Sequence, residues 1–169
     1  MQKHLLALYL PLVISNILHM FVVKYDIAKP LKIILSRSLF GENKTLRGLI
    51  FVSVVNGTLL FMTSTFFNLT TPINSFLFGL IIGFTYILFE LPNSFIKRRL
   101  GIAPGEKSTE HRNLFIILDR CDSALGVSLV YSILLNLSLF NFLILFGFAF
   151  CLHFFFSILL FKTGIKENL

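Results

Sequence analysis

Apolar stretches of membrane-crossing length occupy most of this chain, and nothing else in the sequence restricts its fold as severely. They run over residues 5–23, 48–69, 73–91, 114–139 and 142–161. Each is close to the roughly 20 residues that a helix needs to cross the hydrocarbon of a bilayer. The expected fold is all-α: an integral membrane bundle of about five transmembrane helices, with residues 1–169 as a single transmembrane domain. The connections near residues 70–72 and 140–141 carry no charge and are expected to be tight turns. The other two, 24–47 and 92–113, are long, polar loops. No internal repeat divides the chain.

Composition agrees. Of 169 residues 56% are hydrophobic, 21 are Phe and only 14% are charged, against roughly 25% charged in a soluble domain. The mean hydropathy is +0.85. A water-soluble protein of this size could not hide so much apolar surface, so its partners are membrane lipids. A net charge of +7 would suggest nucleic acid in a soluble protein. Here the basic residues are read as cytoplasmic loop anchors, with no nucleic-acid partner. Cys121 and Cys151 lie in apolar runs and are expected to be buried, unpaired hydrophobes. The first stretch has a basic start but no convincing small-residue cleavage site, and is kept as a helix, not a signal peptide. The Asn-x-Thr triplets at Asn43, Asn56 and Asn68 fall in spans or in a cytoplasmic loop and are not read as glycosylated.

Lys and Arg set the orientation. The first loop holds Lys24, Lys29, Lys32, Arg37, Lys44 and Arg47, the second Lys97, Arg98, Arg99, Lys107 and Arg112, and the tail Lys162 and Lys166. With five helices these segments share one side, which gathers 13 of the 15 basic residues in the cytoplasm. The N-terminus is then outside, with the polar chemistry and the C-terminus inside.

Glu90, Asp119, Arg120 and Asp122 fall in or at the edge of spans. Each charge costs about 2.5–3.5 kcal/mol at the bilayer centre on insertion scales, and such residues persist where they pair or line a polar cavity. Asp119 and Asp122, three apart, share a helix face. Two carboxylates there repel unless a cation lies between them, and Mg²⁺ commonly takes one or two carboxylates with substrate phosphates. The equally weighted alternative is a structural network in which Arg120 or a loop base neutralises the pair. Glu90 is expected to end the third span and begin a polar helix. Helical spacing brings Ser94 and Lys97 or Arg98 to its face, with Pro92 able to kink the join. The bases there either hold phosphate or anchor the loop. Residues 41–48 read Gly-Glu-Asn-Lys-Thr-Leu-Arg-Gly. Lys44, Thr45 and Arg47 are phosphate-seeking types between glycines, but the spacing is not that of a P-loop. The scattered histidines receive no role. The polar segment 105–110 reads as a mobile lid.

At this point the residues resemble a known family. Leu118-Asp119-Arg120-Cys121-Asp122-Ser123 is similar to the signature of membrane phosphatidate cytidylyltransferases. The run from Ser94 through Lys97-Arg98-Arg99 to Ile102, with Gly105-Glu106, resembles the matching loop of their short relatives, the CDP-archaeol synthases, as does Lys44-Thr45-x-Arg47-Gly48. Order and spacing agree over residues 41–126, about half of the chain. The resemblance implies a membrane nucleotidyltransferase that makes a CDP-activated lipid, of CDP-archaeol or CDP-diacylglycerol type, and pyrophosphate from CTP and a lipid phosphate. It implies Mg²⁺ on Asp119 and Asp122, with Glu90 as a further metal residue. It also implies CTP contacts from Lys97 and Arg98 and from Lys44, Thr45, Arg47, Ser94 and Arg99, and it allows a homodimer. The chain departs from the families at Phe89-Glu90, where they usually have Gly-Asp, and lacks the His-Gly-Gly that precedes the acidic signature in phosphatidate enzymes. A small ion or solute transporter, and a catalytically inactive relative that binds lipid or nucleotide, remain the alternatives.

Overall fold

A computed structural model describes residues 2–106 and 112–164. Its long elements are α1 (Gln2–Lys24), α2 (Leu46–Phe66), α3 (Ser75–Arg99), α4 (Arg112–Leu134) and α5 (Leu139–Lys162). Among the described residues no strand forms; an isolated antiparallel bridge pairs Ile34 with Thr45. The fold is the all-α membrane bundle expected. Helices α1, α2, α3 and α5 are each long and apolar enough to cross a bilayer. Helix α4 has the length, 23 residues, but Asp119, Arg120 and Asp122 lower its hydropathy.

Helix α4 nevertheless runs the height of the bundle, antiparallel to α3. At one end the Tyr131 ring packs 5.5 Å from that of Phe78. At the other end Asp119 meets Lys97. Asp119 and Tyr131 lie about 18 Å apart along α4, within a helix whose 23 residues rise about 34 Å, enough for the roughly 30 Å of a bilayer core. Consecutive helices pack as neighbours, and the first and last close the ring. Tyr9 of α1 donates to the Leu145 carbonyl of α5 at 2.7 Å. Near the opposite end Lys24 donates to the Gly164 carbonyl at 3.0 Å.

In lipid, helices gain nothing by hiding apolar surface from one another, so close packing and hydrogen bonds join them. The α2–α3 contact is the tightest. An added Cβ at Gly79 would stand 2.8 Å from the Gly57 Cα, and one at Gly83 2.8 Å from the Ser53 Cα. Buried Asn56 donates to the Gly79 carbonyl at 2.6 Å. Around this seam Leu8, Val52, Leu60, Phe78, Ile82 and Leu145 form the core, and Ser15, Ser53, Ser123 and Ser128 are buried among them.

Several boundaries differ from the sequence reading. The third helix does not end near Leu91 but runs unbroken through Pro92 to Arg99. The fall in hydropathy marks where α3 leaves the apolar zone, not where it stops. Residues 92–99 and 112–113 of the expected second loop are therefore helical. The turn before α5 lies earlier than residues 140–141. Asn136 adopts a φ of 49° and the Ser138 hydroxyl caps α5, accepting from the Asn141 amide at 3.3 Å. Both cysteines are free, but neither is fully buried: Cys121 is half-buried and Cys151 is exposed. The lid read at 105–110 falls, from residue 107 onward, outside the described residues.

Candidate active site

The site is built where the polar ends of α3 and α4 meet the first loop. On α3, Glu90, Asn93 and Lys97 are spaced three and four apart, so they share a face. That face meets Asp119 and Asp122 of α4. Lys97 Nζ donates to Asp119 Oδ1 and Oδ2 at 2.5 and 2.6 Å. Asn93 Nδ2 donates to Asp119 Oδ1 at 2.6 Å and to Asp122 Oδ2 at 3.1 Å. One amide thus spans both carboxylates. Asp122 Oδ1 also accepts from the Ser123 amide at 2.6 Å.

Lys44 arrives from the first loop. The loop turns back through left-handed Asp26 and Ala28, and residues 33–35 then run beside residues 44–46. The Leu35 amide donates to the Lys44 carbonyl at 2.9 Å and the Leu46 amide to the Ile33 carbonyl at 2.8 Å. This short ladder aims Lys44 at Glu90, with which it forms a hydrogen-bonded ion pair. Burial alone would lower the Lys44 pKa, but the Glu90 carboxylate outweighs burial and holds it above its ordinary 10.5.

The remaining sequence candidates separate. Thr45 is the N-cap of α2; its hydroxyl accepts from the Gly48 amide at 3.4 Å. Arg47 is buried and donates to Asp26 Oδ1 and the Ile27 carbonyl, both at 2.9 Å. Ser94 donates back to the Glu90 carbonyl at 3.0 Å. Arg99 is exposed, its guanidinium 5.0 Å from the centre of the Phe95 ring. Arg98 reaches toward the first loop, and its Nε and Nη1 are buried with no hydrogen-bond partner among the described residues. A Cβ placed on Gly41 would lie 3.4 Å from Arg98 Nη1, so the guanidinium sits against the loop backbone. Lys97, Lys44, Glu90, Asp119 and Asp122 are therefore brought together. Thr45, Arg47, Ser94 and Arg99 are occupied elsewhere.

Arg120 does not neutralise the aspartates between which it stands. It turns to α5, donates to the Ile116 carbonyl and lies 5.1 Å over the Phe154 ring. Lys97 meets Asp119 instead, and Asp122 has no ion-pair partner among the described residues. The donor set fits a divalent cation. Two carboxylates converge, one lacks a counter-charge, and only a neutral amide stands between them. No group of three His, Cys, Asp or Glu side chains gathers among the described residues, and Glu90 is paired with Lys44. Two protein carboxylates plus substrate phosphates are what Mg²⁺ commonly takes.

Sequence reasoning missed Asn93 here. Its spacing of three from Glu90 and four from Lys97, which places it on their face, is the signal that could have found it. Phe89 fills the space over Gly126, where an added Cβ would lie 2.1 Å from the Phe89 Cγ. The bulk of Phe89 is met by a missing side chain on α4. A half-open cavity of about 480 Å³, counting its mouth, adjoins the site between α1, α3, α4 and α5. It is mainly apolar; Leu12, Ile17, Val127 and Leu152 line it, with Tyr86, Ser123 and His153 among its polar residues.

Comparison with known proteins bears on this site directly. The family model described as CarS-like, CDP-archaeol synthase, matches residues 4–169. A CDP-archaeol synthase of Saccharolobus islandicus (strain Y.N.15.51 / Yellowstone #2) is 32% identical over 152 residues, covering 88% of this chain and 84% of the relative. That of Saccharolobus solfataricus shows the same identity and coverage. That of Sulfurisphaera tokodaii is 30% identical over 132 residues, covering 78% and 73%. No solved structure matches. With a match over nearly its whole length, and with the acidic pair and its lysines assembled on one polar end of a membrane bundle, the chain belongs to the CDP-archaeol synthase family.

Proposed function

We propose that this membrane cytidylyltransferase transfers the cytidylyl group of CTP to an ether-linked isoprenoid lipid phosphate, giving a CDP-archaeol-type lipid and pyrophosphate. The observation that carries the reading is the Asp119–Asp122 pair, held side by side through Asn93 and flanked by Lys97 and Lys44. The names of the relatives support the lipid class.

A lipid phosphate oxygen attacks the α-phosphorus of CTP while the bond to the β-phosphate breaks, and pyrophosphate leaves. No protein nucleophile is required. Catalysis is positioning and the neutralisation of charge on the leaving group. Asp119 and Asp122 are the residues that would hold Mg²⁺, which when bound withdraws charge from the phosphate oxygens. Lys97 and Lys44 contribute positive charge to the triphosphate from two sides. Arg98, with unpartnered donors beside Gly41, offers a third cation at the loop. Glu90 keeps Lys44 charged and placed. The apolar cavity adjoining the site is suited to a lipid chain, whose phosphate then lies at the polar end of α4.

The test is pyrophosphate release by purified protein with CTP and Mg²⁺, supplied in parallel with an archaeal-type ether lipid phosphate and with phosphatidate. Release with the ether lipid, faster than with phosphatidate, is expected. Preference for phosphatidate would reassign the lipid. No CTP-dependent release with either would leave a binding protein only, and ion flux in liposomes would indicate the transporter alternative.

A further inference from the structure

Asn93 is 7% exposed and stands at the centre of the acidic pair. Its Nδ2 spends both hydrogens on carboxylates, one to Asp119 and one to Asp122. Its Oδ1 is buried and has no hydrogen-bond partner among the described residues. That is a poor arrangement for a buried amide, because an acceptor removed from water without a partner is costly. It is also reversible. The oxygen and nitrogen of an asparagine amide have nearly the same shape, and a half-turn of the amide exchanges them. Without a cation, the NH₂ must face the two carboxylates, since an amide oxygen there would repel them. With a divalent cation between the carboxylates the preference inverts: the NH₂ would face positive charge, and the oxygen becomes the favourable neighbour.

We propose that Asn93 is itself a cation ligand, its side-chain oxygen joining the Asp119 and Asp122 carboxylates, with the amide NH₂ standing in for the cation in the arrangement seen here. An Asn oxygen beside an Asp carboxylate is an established way to hold Mg²⁺ at a nucleotide, as in protein kinases. The inference rests on reading Asp119 and Asp122 as the cation-binding pair.

The experiment uses purified full-length chain in detergent and Mn²⁺ alone, without nucleotide, with free Mn²⁺ followed by electron paramagnetic resonance. Wild type should bind, and Asp122→Asn should not. If these two behave alike, the reading of the aspartates fails first, and the Asn93 proposal falls with it. If they differ, Asn93 is tested by two variants. Asn93→Leu removes both amide functions at similar size and should weaken Mn²⁺ binding at least about tenfold, the lower end of what even a supporting residue contributes. Asn93→Asp keeps an oxygen, loses the donor, and should bind at least as tightly as wild type. If the amide only competes with the cation, Asn93→Leu binds Mn²⁺ as well as wild type or better, and if its NH₂ only props the carboxylates, Asn93→Asp loses binding along with Asn93→Leu; either result overturns the proposal. Should Asn93→Leu fail to fold, Asn93→Asp decides alone, and weaker binding than wild type overturns it. The rise in thermal midpoint on adding Mn²⁺ is a second readout and should follow the same order.

Discussion

Lys44 and Arg47 stand three residues apart in one basic segment, yet their surroundings give them different work. Lys44 faces Glu90 and the acidic pair, whereas Arg47 is buried against Asp26. Lys44→Gln and Lys97→Gln should therefore lower the rate at subsaturating CTP by about 10- to 150-fold each, the equivalent of a lost charge-assisted contact of about 1.5–3 kcal/mol. Arg47→Gln should instead lower the thermal midpoint, and the rate per folded molecule should change little. Lys24→Gln, on an exposed lysine, should affect neither. Equal losses in all four would mean that the loops are anchors only. Asp119→Asn and Asp122→Asn should insert and fold but lose turnover. Near-normal Mg²⁺-dependent rates in both would make the pair structural. Asp26 gives a pH signature. Hydrogen bonds from Arg47, then Lys32, hold its carboxyl below the ordinary 3.8. Its contribution is fully present above that value and is lost as the pH falls through its depressed folded value. Acid should thus release the first loop in wild type, and Asp26→Asn should remove that transition. Protease susceptibility of the loop across an acid titration is the measurement.

Among the elements, the α3–α4 pair carries the clearest mark of this particular chain. Phe89 enters the space left by Gly126, so the two positions should be energetically coupled. Gly126→Ala should destabilise the bundle by about 1–3 kcal/mol through overpacking. Phe89→Ala in the same background should recover much of that loss, with a coupling in the range of about 0.5–3 kcal/mol expected of side chains in contact. Additive losses in detergent thermal unfolding would show that the two do not share the space. The continuation of α3 through Pro92 belongs to the same scale. Hydropathy reports the solvent around a helix, so it falls where α3 enters the polar zone. Backbone hydrogen bonding continues there, and it carries Asn93 and Lys97 to the aspartates.

For the whole molecule, the distribution of Lys and Arg predicts an N-terminus outside and the site with the C-terminus in the cytoplasm. The donation from Lys24 to the Gly164 carbonyl at 3.0 Å places the ends of α1 and α5 together, as five crossings require. A tag at the N-terminus should be reached by an impermeant reagent from outside, and one at the C-terminus only after permeabilisation. Reactivity of both ends from one side would exclude five crossings.

The apolar stretches alone determined that the chain is a membrane bundle, because no other arrangement keeps so much apolar surface from water. The helical spacing of Asp119 and Asp122 determined that two carboxylates share a face. Which base meets which acid was decided only by tertiary structure. Arg120, the nearest cation in sequence, points to α5, while Lys97, twenty-two residues away, takes Asp119. Sequence proximity fixes the direction of a side chain around its own helix. Only the packing of α3 on α4, and the turn that returns Lys44 to Glu90, bring separate faces together. Asn93 shows the same limit: its amide gains its position from two carboxylates on another helix, which no local pattern around it records.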